Sequence, residues 1–244
     1  YEAWNKRQVL ETNQLLTSIS SQVVGFMEPG IDFRLLANTS RDSTFYLAGH
    51  AAPATDVEPI RGTPWVVSAG CDGWLHFHDA SSGQRVHSKL VSQDSEIHAI
   101  DVSHDGTQIA VGRINALLGV NYAAVYPLHC GSQDSWLGNC TAMYPSPTTV
   151  ESLQFSHDAS LLAVGPRYLP VILYDCQSKS LRHKFATESR NRTVDFSPDG
   201  QFCLVMGNDD RLLIHDTDSG EEVRSVRCGG TPQTSRWSPT GAWL

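Results

Sequence analysis

The chain has 244 residues, of which 40% are hydrophobic and 18% are charged, and its formal net charge is −8. This composition is typical of a folded globular protein, and the acidic balance argues against a general nucleic-acid binder, which would present a basic field. No apolar run of about 18 residues is present, so we expect no membrane span. No secretory signal pattern is visible, and we expect an intracellular protein, cytoplasmic or nuclear.

In chain order, residues 1–20 form a lead-in segment whose pattern decides for neither helix nor strand. From residue 21 to residue 244, short apolar runs alternate with turn residues, as an all-β protein requires. The segment 51–64, "AAPATDVEPIRGTP", is rich in proline and reads as a loop. We place one irregular unit near 23–49, regular units near 50–90, 96–128, 149–186 and 190–228, and the start of a sixth at Pro232.

The regular units repeat one motif. "FSHDASLLAVG" begins at Phe155, "FSPDG" at Phe196 and "WSPTG" at Trp237, at intervals of 41 residues, and "VSHDGTQIAVG" begins 53 residues before Phe155 at Val102. A fixed period of about 40 residues is the signature of a repeat architecture. The repeat therefore decides the fold class before any single residue does.

Each unit reads as four short strands separated by turns. In the unit 190–228 the strands are "RTVDF", "QFCLVMG", "RLLIHD" and "EEVRSVR". One sheet of this size cannot bury two faces alone, whereas radially stacked sheets cover one another. We therefore predict a β-propeller of four-stranded blades, with the "FSPDG"-type turns on one face and the "GNDD"-type turns on the other.

The repeats resemble the WD40 family, whose units run from a Gly-His pair to a Trp-Asp pair. Gly49-His50, Ser68 and Asp72 match the polar network that blades of this family often carry, and His78 stands where the family has Trp. The commonest closed form in the family has seven blades, roughly 290 residues at about 41 each. We therefore expect this sequence to be part of a longer propeller.

The match to the family is divergent in the unit 190–228. Asp209 lies six residues before His215, as Asp72 does before His78, but Val205 occupies the strand-two position that is polar in the family. The resemblance thus implies a structural blade network at His50, Ser68, Asp72, His78, Asp209 and His215.

The resemblance also implies a non-catalytic scaffold or peptide receptor in a multi-protein complex, whose ligands are proteins or peptides rather than nucleic acid. Two insertions, 112–122 and 127–147, should emerge on the face that the family most often uses for partners. Alignment of the strand-two glycines places one tryptophan and three arginines on that face, bordered by Trp136 of the second insertion: Trp74, Arg113, Arg167 and Arg211. The alternative is that these arginines tie blades together through Asp105, Asp209 or Asp210.

No catalytic motif is present, so we expect no enzyme, no cofactor and no metal. His76 and His78 form a possible metal pair, but their place on a strand favours hydrogen bonding. Two other functions stay open. A ubiquitin-ligase substrate receptor would often carry Trp-Asp-x-Arg, yet Ser81, Gln177 and Asp218 occupy the Arg position. A propeller enzyme would need carboxylates or histidines that converge on a central channel.

Overall fold

The computed structural model describes residues 34–36, 44–115, 119–132, 135–186, 190–230, 234–238 and 240–241. These residues form 18 β-strands and no helix, so the described part of the chain contains no helix that could span a bilayer. Sixteen strands form four antiparallel sheets of four strands each. The prediction of an all-β protein built from four-stranded units is confirmed.

Each sheet is made of four strands that are consecutive in the chain, and the two strands that precede them pair with each other. The pair is β1 (Arg34–Leu36) and β2 (Thr44–Tyr46). Sheet I comprises β3 (Ala54–Pro59), β4 (Trp65–Gly70), β5 (Trp74–Asp79) and β6 (Arg85–Leu90). Sheet II comprises β7 (Glu96–Val102), β8 (Gln108–Asn115), β9 (Val120–Pro127) and β10 (Ala142–Ser146). Sheet III comprises β11 (Val150–Phe155), β12 (Leu161–Pro166), β13 (Val171–Asp175) and β14 (Ser180–Phe185). Sheet IV comprises β15 (Asn191–Phe196), β16 (Phe202–Gly207), β17 (Arg211–Asp216) and β18 (Glu222–Arg227).

Because consecutive strands are antiparallel, the connections alternate between the two ends of each sheet. We call end 1 the end that carries the "FSPDG"-type turns and the connections from strand three to strand four. End 2 carries the "GNDD"-type turns from strand two to strand three. The predicted separation of the two turn classes is therefore confirmed within each sheet.

The "FSPDG"-type turns of sheets II, III and IV share one hydrogen-bonding pattern, which explains why their sequence repeats. In sheet IV the Gly200 N–H donates to the Ser197 carbonyl at 2.8 Å, and the Phe202 N–H donates to Ser197 Oγ at 2.9 Å. The Asp199 carboxylate accepts the Ser197 hydroxyl, and Gly200 has a φ of 74°, which favours glycine. The same turn bond joins Gly241 to Ser238 at the start of the predicted sixth unit.

The sheets lie side by side, with β3 against β7, β7 against β11 and β11 against β15. Apolar side chains fill the space between neighbouring sheets. Phe77 and Ile100 belong to the core between sheets I and II, Leu162 and Tyr144 to the core between II and III, and Phe185 to the core between III and IV. Burial on both faces agrees with the unbroken apolar runs of the inner strands.

Two segments that read as loops contain strands. The segment 51–64 includes β3, the first strand of sheet I, and the segment 127–147 includes β10, the fourth strand of sheet II. The excursion from the repeat is therefore residues 128–141, and it joins strand three to strand four at end 1. The insertion 112–122 lengthens β8 and β9 to 8 residues each at end 2. The expectation that both insertions share one face is wrong.

Several predictions fall outside the described residues. They concern the lead-in segment 1–20, most of the irregular unit 23–49, and residues 231–233, 239 and 242–244 of the sixth unit.

Candidate interaction surface at end 2

A β-bulge recurs at the same repeat position in the first strand of each of the four-stranded sheets, close to end 2. The register of the first strand against the second shifts between Ala54 and Asp56, and equivalent shifts occur in β7, β11 and β15. The residue inside each shift has no partner opposite it on the second strand, and such a bulge re-aims its side chain. All four bulged residues are polar, and no two are alike: Thr55, His98, Glu151 and Arg192.

The bulged Glu151 joins sheet III to sheet IV. Its carboxylate accepts hydrogen bonds from Arg167 Nε at 2.5 Å and from Arg190 Nε at 2.5 Å and Nη2 at 2.7 Å. Burial would raise the pKa of Glu151, but the hydrogen bonds from the two guanidinium groups outweigh it and hold the pKa below its usual value. The Glu151 side chain is only 9% exposed, whereas those of Arg167 and Arg190 are 42% and 29% exposed.

The predicted partner-binding arginines do not form one set. Arg113 is buried, donates to the Tyr126 hydroxyl at 3.3 Å and to Ser95 Oγ at 3.4 Å, and lies over the ring of Tyr122. Arg167 is held by Glu151 and is half-exposed. The structure thus places Arg113 inside the protein, where it stabilises sheet II, and its partners are not the aspartates that the alternative named.

Arg211 and Trp74 lie at end 2 and are both partly buried. Arg211 begins β17, and the Trp74 ring packs on His76 with ring centroids 5.9 Å apart. Tyr168 lies beside Arg167 in the end 2 turn between β12 and β13, and no sequence pattern singled it out. It is 64% exposed and has a φ of 58°, an uncommon conformation for an aromatic residue.

Trp136 does not border this surface. It belongs to the end 1 excursion and is buried against sheet I, with ring centroids 4.7 Å from Trp65 and 5.3 Å from both Phe77 and His87. The expectation that Trp136 is an exposed anchor at end 2 is wrong. The fourth strand of sheet II, β10, follows the excursion, so the excursion joins strand three to strand four and lies at end 1.

The polar network that the resemblance implies in sheet I is brought together. His50 Nδ1 lies 3.0 Å from Asp72 Oδ1, His50 Nε2 lies 3.0 Å from Ser68 Oγ, and Ser68 Oγ lies 3.3 Å from His78 Nε2. Asp72 also accepts the Ala51 N–H at 2.7 Å. Burial would raise the pKa of Asp72, but the hydrogen bonds from His50 and Ala51 outweigh it and lower the pKa.

Sheet IV does not repeat this network. His215 is buried and stacks on Phe185 with ring centroids 4.4 Å apart, and burial lowers its pKa. Asp209 lies in the end 2 turn and is partly buried. Its structural role stays a prediction. Because Val205 replaces the hydroxyl residue, apolar packing takes over in this sheet.

Among the residues that the structure describes, two groups of side chains have donor atoms close enough to hold a metal. One comprises His50, Asp72 and His76, but both ring nitrogens of His50 are already engaged with Asp72 and Ser68. The other comprises Cys71, Glu96 and His98. The sequence pattern pairs His76 with His78 and indicates neither group, because the members of each group come from separate strands and turns.

A second polar cluster lies where the first strands meet. The second-last residue of each first strand, together with its equivalent before Trp237 in the sixth unit, occupies one position: Glu58, Asp101, Gln154, Asp195 and Arg236. Asp101 accepts the Phe155 N–H at 2.6 Å, and Asp195 accepts the Trp237 N–H at 2.7 Å. These carboxylates therefore bind the backbone of the next repeat.

Asp56, two residues before Glu58, also binds the backbone of the next repeat, because its carboxylate accepts the Ile100 N–H at 2.8 Å. Burial raises the pKa of Asp56 to about 6 and that of Asp101 to about 7, and burial with the nearby Asp101 and Asp56 raises the pKa of Glu58. Arg236 faces this cluster, with Nη1 2.5 Å from Gln154 Oε1 and 3.3 Å from Asp195 Oδ1. The repeat alignment carries the signal for these residues, which the sequence analysis did not use.

No model of a known protein family matches the chain, and no curated protein sequence is significantly similar to it.

Proposed function

We propose that the chain is part of a WD40-like β-propeller and serves as a non-catalytic interaction module within a multi-protein complex. The divergent repeats support the family, and four consecutive four-stranded sheets with neighbouring first strands support the propeller. Fold alone does not assign a function, so the proposal depends on the surface that the sheets present.

The observation that carries this function is the recurrent bulge at end 2. Four sheets share the backbone geometry, whereas the bulged side chains are a hydroxyl, an imidazole, a carboxylate and a guanidinium. A constant backbone frame whose polar group differs from sheet to sheet can arrange different neighbouring side chains at the surface, as Glu151 does with Arg167 and Arg190. Around Glu151 the surface also exposes Arg167, Arg190 and Tyr168, and arginine and tyrosine are residue types enriched in protein interfaces.

An acidic segment of another protein fits the part of end 2 formed by sheets III and IV. Arg167 and Arg190 already share one carboxylate, Glu151, and their partly exposed guanidinium groups retain donors for a second one. The loss of one charge-assisted contact costs about 1.5–3 kcal/mol, which is roughly a tenfold to hundredfold loss in affinity.

The test compares partners of the full-length protein recovered by affinity purification and quantitative mass spectrometry. The test variant combines Arg167→Gln with Tyr168→Asn, because asparagine tolerates the φ of 58° at Tyr168. The control is Arg182→Gln. Arg182 is also a partly exposed arginine of sheet III and is paired with Asp218, but it faces the end 1 turn of sheet IV.

We expect partners to be lost from the test variant and kept by the control, with equal melting temperatures. Recovery of the same partners with the test variant would show that they do not bind end 2 of sheets III and IV. Arg113→Ala, in contrast, should lower the melting temperature because its side chain is buried.

A propeller enzyme is the second candidate, because the carboxylates of Asp56, Glu58, Asp101 and Asp195 converge where the first strands meet. Three of the four accept backbone N–H groups of the next repeat, which favours a linking role. A panel of hydrolase substrates should distinguish the two readings. Turnover by the wild type that a folded Asp101→Asn variant lacks would favour the enzyme.

A further inference from the structure

Cys71, Glu96 and His98 meet at end 2 between sheets I and II. Cys71 follows β4 directly, and its position is fixed by its N–H, which donates to the Pro53 carbonyl at 2.9 Å. Glu96 and His98 flank the buried Ile97 at the start of β7, where the bulge re-aims His98. Both sheets therefore contribute to one cluster.

The geometry of the cluster is close to that of a metal site. One donor atom from each residue lies within 4.8 Å of the other two, and His98 Nε2 lies 2.9 Å from Glu96 Oε2. Ligand atoms around a tetrahedral zinc are roughly 3.3–3.6 Å apart, as bond lengths of about 2.0–2.3 Å require. The Glu96 and His98 side chains are 50% and 27% exposed, so they have room for the small rotations needed.

The donor set selects the metal. A thiolate and an imidazole are ligands of zinc, whereas magnesium and calcium prefer oxygen ligands alone. A thiolate and a carboxylate together carry two negative charges, which balance one divalent cation. Asp72, the neighbour of Cys71 in the chain, adds negative charge close by.

We propose that Cys71, Glu96 and His98 form a zinc site with three protein ligands and a water molecule in the fourth position. The bound zinc ties the end 2 turn of sheet I to the first strand of sheet II. An open fourth position is the arrangement of zinc sites that exchange ligands, rather than of closed structural sites. This site goes beyond the proposed interaction function, because its test measures metal binding between sheets I and II, whereas the test of the interaction function uses Arg167 and Tyr168 in sheet III.

Cobalt(II) provides the test, because a cobalt–thiolate bond gives a charge-transfer band in the near ultraviolet. The purified, metal-free full chain is titrated with cobalt and then with zinc. We expect one cobalt per chain, a thiolate band, and displacement of cobalt by zinc. Cys71→Ser should remove the band, and His98→Ala should weaken zinc binding by at least about tenfold.

The matched control is Cys228→Ser, since Cys228 is an exposed free cysteine after β18. It should keep the band and the zinc affinity of the wild type. Circular dichroism reports whether Cys71→Ser folds; if it does not, Glu96→Gln replaces it, with the same expected tenfold loss. A cobalt spectrum without a thiolate band, or variants of Cys71, Glu96 and His98 that bind zinc as tightly as the wild type, would overturn the proposal.

Discussion

Asp101 tests whether the first-strand carboxylates link the sheets. Its side chain is buried, and its carboxylate accepts the Phe155 N–H from sheet III at 2.6 Å. Asp101→Ala leaves that N–H without an acceptor, which costs about 1–3 kcal/mol in the free energy of unfolding. Asp101→Asn keeps an oxygen acceptor and removes the charge, so it should cost less.

The pH dependence separates the charge from the hydrogen bond. Burial raises the pKa of Asp101 from 3.8 to about 7, so its contribution to stability is present below the unfolded pKa and is lost as pH rises through the folded one. Linkage therefore gives a loss on the order of a few kcal/mol in the wild type between pH 5 and pH 8, to which the neighbouring carboxyls of Asp56 and Glu58, whose pKa values burial also raises, contribute. The Asp101→Asn variant has no carboxyl group at this position, so its free energy of unfolding should not show the loss that comes from Asp101.

Urea denaturation followed by circular dichroism at pH 5 and pH 8 measures both effects. We expect the stability of Asp101→Asn relative to the wild type to improve from pH 5 to pH 8. Asp94→Asn, which removes an exposed carboxylate just before β7, is the control for the loss of one negative charge from this region. A wild type and an Asp101→Asn variant with parallel pH dependence would refute the raised pKa, and equal stability of the Ala and Asn variants would refute the hydrogen bond.

Two further predictions concern sheet I. Trp136→Ala should lower the free energy of unfolding by about 3–5 kcal/mol, because its ring packs on Trp65, Phe77 and His87; denaturation followed by circular dichroism measures this, and a loss below about 1 kcal/mol would contradict the packing. Asp72→Asn should destabilise the protein more at pH 7 than at pH 3, because the stability that comes from a lowered carboxyl pKa is lost as the pH falls through the pKa of the folded state. Thermal melts at both pH values measure this, and equal losses of stability at the two pH values would contradict the network.

The strands that the sequence predicted are those with local signals. In sheet IV the turn at Ser197–Gly200 and the apolar run from Cys203 to Met206 predict β16 and its partners correctly. β10, with the sequence "AMYPS", carries no such signal, because Pro145 interrupts a short run that has no clear alternation. In the structure its Met143 side chain is exposed. β10 forms because its backbone pairs with β9 at the edge of sheet II, where proline is tolerated. Long-range pairing, rather than propensity, decides that strand.

The error at Trp136 follows from that missed strand. Without β10, the sequence places the whole insertion 127–147 between two sheets and therefore at end 2, and an aromatic residue in a long loop indicates an exposed anchor. The structure instead folds the excursion over sheet I, where a β-carbon on Gly131 would lie only 3.0 Å from the Trp65 ring. A single missed strand thus reverses both the end assigned to the connection and the exposure expected of Trp136.

The bulged residues show why a candidate surface escapes a repeat alignment. Thr55, His98, Glu151 and Arg192 each lie four residues before the last first-strand residue or the bulky motif residue, so the alignment could have found their position. It could not have shown the register shift, because a bulge exists only relative to a partner strand. The shift matters because it frees one side chain per sheet from the alternation that buries its neighbours. A change at such a position leaves the apolar cores between the sheets in place but alters polar contacts at end 2, such as those of Thr55 with the Ile97 carbonyl and of Glu151 with Arg190. The same backbone position therefore takes part in an arginine–carboxylate contact between sheets III and IV and in a thiol, imidazole and carboxylate cluster between sheets I and II.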